Sequence, residues 1–196
     1  NEDRGRSLAA WLKARFPQFA PRRILELGCT VGHALLPFAE FYPEAELHAI
    51  DVAAPCLRYA QRDAEATGFD DGSFDLVFSR ILMHETSHAA VPRIFAECHR
   101  LLRPGGLCFH SDAPQFDELE PYVASLRDWD IRCNNEPFMD AWYEMPVEQL
   151  FAAAGFDAAT CFRGWAPSLH VAASGVDPKL NRSGGRYFLA GAFRAG

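Results

Sequence analysis

The apolar positions of this chain fall into short runs that alternate with stretches of helical period, most of them closed by Gly or Pro. Ile24-Leu25-Glu26-Leu27 ends at Gly28 and has the length and bounds of a buried parallel strand. Glu46 to Ile50, ending at Asp51, Asp75 to Ser79 and Leu107 to His110 repeat that pattern, and further strands are expected near Ala158 to Phe162 and Tyr187 to Phe193. Helical spacing runs through Leu8, Trp11, Leu12 and Phe16, then over Val31 to Phe41, Ala54 to Ala60, Ala89 to Leu102 and Val147 to Ala154. Pro104-Gly105-Gly106 is expected to stop the helix that precedes Leu107. Strands alternating with helices predict an α/β fold: a doubly wound, mostly parallel sheet with helices on both faces and an antiparallel last strand.

One interval is too short for that scheme. Only 23 residues separate Asp51 from Asp75. A helix, a strand and their loops belong there, yet Gln61 to Ser73 contains no strand-like run. Either residues are missing near Ala60 and Gln61 or the sheet lacks a strand. The polar, glycine-rich segment from Ser174 to Gly185 is expected to be mobile.

Composition narrows the class. A chain of 196 residues, 49 % apolar, can bury one core, so residues 1–196 are expected to form one domain, with 112–145 as an inserted lid. No apolar run approaches the ~20 residues of a membrane span, and Asn1 to Ser7 are polar, unlike a secretory signal. A cytoplasmic protein is expected. The net charge of −7, with only short basic pairs such as Arg22-Arg23, disfavours nucleic acid and membrane as partners and leaves a small-molecule substrate. The cysteines (Cys29, Cys56, Cys98, Cys108, Cys133, Cys161) are scattered singly in mostly apolar surroundings, as reduced structural thiols would be.

Candidate chemistry gathers where strands end. In Glu26-Leu27-Gly28-Cys29-Thr30-Val31-Gly32 an acidic strand residue is followed by a glycine turn that opens a helix, which lets backbone approach a ligand. Asp51 lies 19 residues beyond Gly32 at the end of the next strand, where a carboxylate can accept both hydroxyls of a ribose. Such a pair fits any nucleoside cofactor. The loop reads G-x-x-x-G, however, and not the G-x-G-x-x-G of dinucleotide-binding dehydrogenases.

In order along the chain, Ile24 to Gly32, Asp51, Asp63-Ala64-Glu65, Gly72-Ser73-Phe74-Asp75-Leu76-Val77 and Leu101-Leu102-Arg103-Pro104-Gly105-Gly106 resemble the motifs of the class I S-adenosylmethionine-dependent methyltransferases. The resemblance implies a Rossmann-like fold, S-adenosyl-L-methionine as cofactor and S-adenosyl-L-homocysteine as product. It further implies that Glu26, Gly28, Cys29, Thr30 and Gly32 surround the methionine part and that Asp51 holds the ribose. Val52 would pack on the adenine, Asp63 and the Ala64 backbone would read its edge, and Ser79 with Arg80 would lie beneath the sulfonium. Thr30 departs from the family's usual glycine, and a threonine there is expected to hold the loop to ordinary negative φ.

His84-Glu85-Thr86-Ser87-His88 satisfies H-E-x-x-H, the pattern of a zinc hydrolase when both histidines share one helix. Here it follows a strand directly, and Thr86 or Ser87 reads as the cap of the next helix, so no metal site is expected. In the methyltransferase reading His84 leaves the fourth strand near the methyl group as a possible general base, with His110 and Asp112 as lesser candidates. Phe116, Tyr122, Trp129, Phe138, Met139, Trp142 and Tyr143 suit a lid over an acceptor pocket. A zinc-dependent hydrolase acting through the segment from His84 to His88 and a cofactor-binding domain without catalysis are the two alternatives.

Overall fold

The computed structural model describes residues 2–52, 60–134, 136–175, 177 and 185–196. Seven strands form one sheet: β1 (Arg23–Leu27), β2 (Glu46–Asp51), β3 (Ala60–Gln61), β4 (Phe74–Arg80), β5 (Leu102–Ser111), β6 (Phe162–Pro167) and β7 (Arg186–Phe193). Their spatial order is β3-β2-β1-β4-β5-β7-β6. The pairs among β1 to β5 are parallel, whereas β7 runs antiparallel to both β5 and β6. The fold is Rossmann-like, and its order reverses at β1/β4, the switch point where open α/β sheets bind ligands.

Period-two burial explains the two layers. Leu25, Leu27, Val77 and Cys108 point to one core, packed by helices α3 (Ala90–Leu101) and α6 (Val147–Ala153). Ile24, Leu76, Phe78, Leu107 and Phe109 point to the other, packed by α1 (Glu2–Arg15) and α2 (Phe38–Phe41). Helices α4 (Pro121–Asn134), α5 (Met139–Glu144) and α7 (Leu169–Ser174) complete the set.

Several elements differ from the sequence reading. α1 starts at Glu2 rather than Leu8. The helix expected over Val31 to Phe41 is reduced to Phe38–Phe41, with Pro37, which lacks an N–H, just ahead of it and turns from Thr30 on. A two-residue strand at Ala60–Gln61 pairs with Ile50 and Asp51, in the interval where the sequence showed no strand-like run. Its hydrogen bonds are backbone ones, to which a side-chain pattern is blind. Pro104-Gly105-Gly106 does not stop a helix: α3 ends at Leu101 and β5 begins at once, with a register shift opposite Phe74 and Leu76 absorbing those residues. Ala158–Thr160 is a 3₁₀ turn and the expected strand starts after it, at Phe162. The helix expected over Ala54 to Ala60 and the mobility expected over Ser174 to Gly185 lie largely outside the described residues. No helix among the described residues is long and apolar enough to cross a membrane.

Candidate active site

The glycine turn and Asp51 meet at one edge of the sheet. Gly28 and Cys29 donate their N–H groups to Ile50 O at 2.9 and 3.1 Å, and Thr30 N donates to Asp51 Oδ2 at 2.8 Å. Gly28 adopts φ 67°, and a Cβ there would lie 2.9 Å from the Leu82 side chain. Only glycine fits. Thr30 corrects the expectation placed on it: its φ is +53°, left-handed despite its side chain. For a residue branched at Cβ this conformation costs of order 1–3 kcal/mol, a cost the surrounding loop must offset. Gly32, at φ 76°, closes the turn.

The remaining cofactor candidates flank this edge. Val52 is 69 % exposed, its carbonyl held by Gln61 Nε2 at 2.8 Å, while Arg62 N donates to Asp51 O at 2.9 Å. Asp63 is exposed in the loop after β3, and its Oδ1 accepts from Glu65 N at 2.9 Å. The Ala64 side chain packs into the core, which leaves only backbone for recognition. Cys29 likewise turns its thiol inward, and burial pushes that thiol up to about 12 with Glu26 and Asp51 adding to the effect. Ser79 pairs with Leu27 in register and its hydroxyl is 2.8 Å from His110 Nδ1.

Glu26 stands apart because it is fully buried and neither carboxylate oxygen has a donor in hydrogen-bond geometry. Burial pushes its pKa up to about 8, against the pull of Arg80 and of the Leu35 N–H, which is already given to Gly32 O.

A second constellation lies at the ends of β4 and β5. Arg80 pairs with Ser111, so the residues that follow each strand become neighbours. Ile81 takes φ +52° and turns the chain into a 3₁₀ turn at Met83–Glu85. His84 Nδ1 there hydrogen-bonds Asp112 Oδ1, which also accepts from Ala113 N at 2.6 Å, while Asp112 Oδ2 accepts from Met83 N at 2.9 Å. Both groups are buried. Burial lowers the His84 pKa, but the Asp112 hydrogen bond and charge, with Glu85 and Glu136, outweigh it and leave the imidazole above its ordinary value.

His84 and Asp112 line a cavity of about 760 Å³, together with Ile81, Tyr143, Trp165 and Phe188. Val123, Arg127 and Ile131 of α4 reach it at a spacing of four, one helix face, and Met139 and Tyr143 reach it from α5. Trp142 is buried, with Nε1 donating to Ala113 O at 2.8 Å. Tyr122 and Trp129, expected to line the pocket, are exposed on the outer side of α4.

His110 does not reach this cavity. It sits in the core between the rings of Phe95 and Phe151, with Nε2 3.5 Å from Cys108 Sγ. Cys98, Cys108 and His110 do gather within 4.8 Å of one another there, all buried. His88 is exposed before α3 and His84 is buried on the 3₁₀ turn, so the H-E-x-x-H histidines share no helix. Ser87 Oγ accepts from Ala90 N at 3.3 Å, as a cap would.

Residues 25–110 match a family described as a methyltransferase domain. A malonyl-[acyl-carrier protein] O-methyltransferase of Methylococcus capsulatus is 34 % identical over 82 % of this chain and 62 % of its own length. A tRNA N(3)-methylcytidine methyltransferase of Drosophila melanogaster is 25 % identical over 65 % of this chain and 47 % of its own. The chain thus spans about half to three-fifths of these two relatives. Among solved structures, a Haemonchus contortus phosphoethanolamine N-methyltransferase with bound S-adenosylhomocysteine superposes with a TM-score of 0.65 at 17 % identity, over 97 % of this chain and 53 % of that one.

Proposed function

We propose that the chain is a class I S-adenosylmethionine-dependent methyltransferase, as its methyltransferase-domain match supports, and that it methylates a small molecule held in the cavity beside His84. The observation that carries the cofactor half is the junction of Thr30 N and Asp51 at the switch point of the sheet. The residues present fit the cofactor. Asp51 is placed to accept from a ribose, and exposed Val31 and Val52 on either side offer an apolar face to a purine. Glu26 offers two buried oxygens without a donor, a partner for an ammonium group. Gly28, Thr30 and Gly32 would meet the methionine part through their backbone, and Asp63 with the Ala64 backbone would read the adenine edge.

When bound, the cofactor supplies a methyl group already activated on positively charged sulfur. What the chain must add is alignment, exclusion of water and a place for the acceptor's proton. The cavity would serve the first two, with residues 112–145 as its lid. His84 does the third: with Asp112 accepting from Nδ1, Nε2 is the nitrogen that would take the proton, beside the exposed Glu85 carboxylate at 3.4 Å. The relatives' printed names span a malonyl group on an acyl-carrier protein and a tRNA base, so the small-molecule reading rests on this chain's own pocket and its net charge of −7.

Calorimetry with S-adenosylhomocysteine tests the reading. Asp51→Ala is expected to weaken binding by about 10²-fold, the loss of charge-assisted hydrogen bonds. Asp51→Asn keeps an acceptor for Thr30 N and should fall between. Unchanged affinity in Asp51→Ala would overturn the cofactor assignment, and a metabolite screen for S-adenosylhomocysteine production identifies the acceptor.

A further inference from the structure

We infer that the acceptor is an organic anion, a carboxylate or phosphate ester on an apolar body, recognised by Arg4 and Arg186. This deepens the proposed function and rests on it. Both guanidinium groups line the cavity that holds His84 and Asp112. Arg4 lies over the Tyr187 ring at 4.6 Å from its centroid, and Arg186 over the Trp165 ring at 4.2 Å. A guanidinium over a ring face has N–H groups to spare for another partner, and its planar fork matches the two oxygens of a carboxylate or phosphate.

Neither arginine has an ion pair among the described residues, although acids stand nearby. Asp112 attracts Arg4, but its oxygens already serve Met83 N, Ala113 N and His84. Glu118 is held by Arg163 at 3.2 Å and Trp165 Nε1 at 3.4 Å, and Glu136 acts on His84. Asp3, next to Arg4, accepts from Ser168 Oγ at 2.6 Å, Tyr187 Oη at 2.8 Å and His170 N at 2.8 Å. Those bonds anchor the start of α1 against β7 and α7, so Arg4 is held at the cavity by a fixed frame. Glu120 is the remaining acid of the lining. An unpaired, half-buried cation such as Arg4, held against an aromatic wall, is costly without a ligand and selective with one, whereas Arg186 is exposed. Burial and the neighbouring Arg80 depress the Arg4 pKa, in keeping with a cation short of counter-charge.

The test is calorimetry on the chain saturated with S-adenosylhomocysteine, using octanoate, octyl phosphate, octanol and octylamine as probes. At least one acid is expected to bind about tenfold or more tightly than octanol, and the better of the two acids tells carboxylate from phosphate. Arg4→Gln and Arg186→Gln should each remove about tenfold of that acid's affinity, with octanol and S-adenosylhomocysteine binding unchanged. Arg4→Lys should restore only part, because an ammonium lacks the planar fork. Octanol or octylamine binding as tightly as both acids, or no loss in either Gln variant, would overturn the inference. Failure of S-adenosylhomocysteine to bind overturns the proposed function instead, and acid selectivity is then read on the chain alone.

Discussion

At the scale of single residues, the proposed role of His84 ties the reaction's pH dependence to its pairing with Asp112. A general base must be neutral to take a proton, and His84 is held above its ordinary 6.5 chiefly by Asp112, against burial that pulls it down. Turnover should therefore rise with pH through an apparent pKa above 6.5 and then level. His84→Gln should lower kcat by about 10²–10⁴-fold and flatten that limb, with S-adenosylhomocysteine affinity unchanged. Asp112→Asn removes the upward push while burial stays, so its midpoint should move to lower pH. The pair also has a stability signature. A histidine whose folded pKa is raised stabilises the fold fully below pH 6.5 and loses that contribution as pH climbs through the folded value. A rate profile indifferent to both substitutions would remove His84 from the chemistry. Ile81 and Thr30, both in the left-handed region, are the other informative residues: each sits where the chain leaves a strand toward the site.

At the scale of elements, α5 is docked beside the cavity proposed for the acceptor through Trp142, whose ring is buried and whose indole N–H serves Ala113 O, the residue after Asp112. Trp142→Phe leaves that carbonyl without its donor, at a cost of about 1–3 kcal/mol. Acceptor KM should rise while S-adenosylhomocysteine affinity holds, a split that initial-rate kinetics and calorimetry resolve. Matched losses of both would mean the element serves the whole fold. What the sequence made legible at this scale follows from burial. β1, β4 and α3 bury continuous apolar faces, and their patterns mark them, as does the Gly28 turn that must face Asp51. α2 was overextended because apolar spacing runs through Pro37, whose missing N–H only the backbone registers. β3 went unseen because Ala60 and Gln61 pair through peptide groups alone. His84 and Asp112, 28 residues apart, were named separately rather than as a pair. The signal was available: residues just beyond adjacent parallel strands must meet, as the Arg80–Ser111 register shows.

At the scale of the whole molecule, Glu26 sets fold stability against cofactor binding. Its folded pKa of about 8, raised by burial from 4.5, means the native state keeps a proton that the unfolded chain has lost throughout that interval. Stability must then fall as pH rises from 4.5 to 8, by at most about 1.4 kcal/mol per pH unit, and stay low above it. Glu26→Gln removes the ionisation. At pH 8 the ligand-free variant should be more stable and melt at higher temperature, while near pH 4.5 the two chains should melt together. The same substitution removes the charge proposed to meet the cofactor's ammonium, so S-adenosylhomocysteine affinity should drop even as the free chain stabilises. Saturating S-adenosylhomocysteine should flatten the pH slope of the wild type and leave that of Glu26→Gln unchanged. Thermal melts from pH 4.5 to 8.5, with and without S-adenosylhomocysteine, separate the two effects. Equal slopes in both free chains would mean that Glu26 does not titrate in this range, and a stabilised variant with full affinity would mean that its carboxylate faces something other than the cofactor.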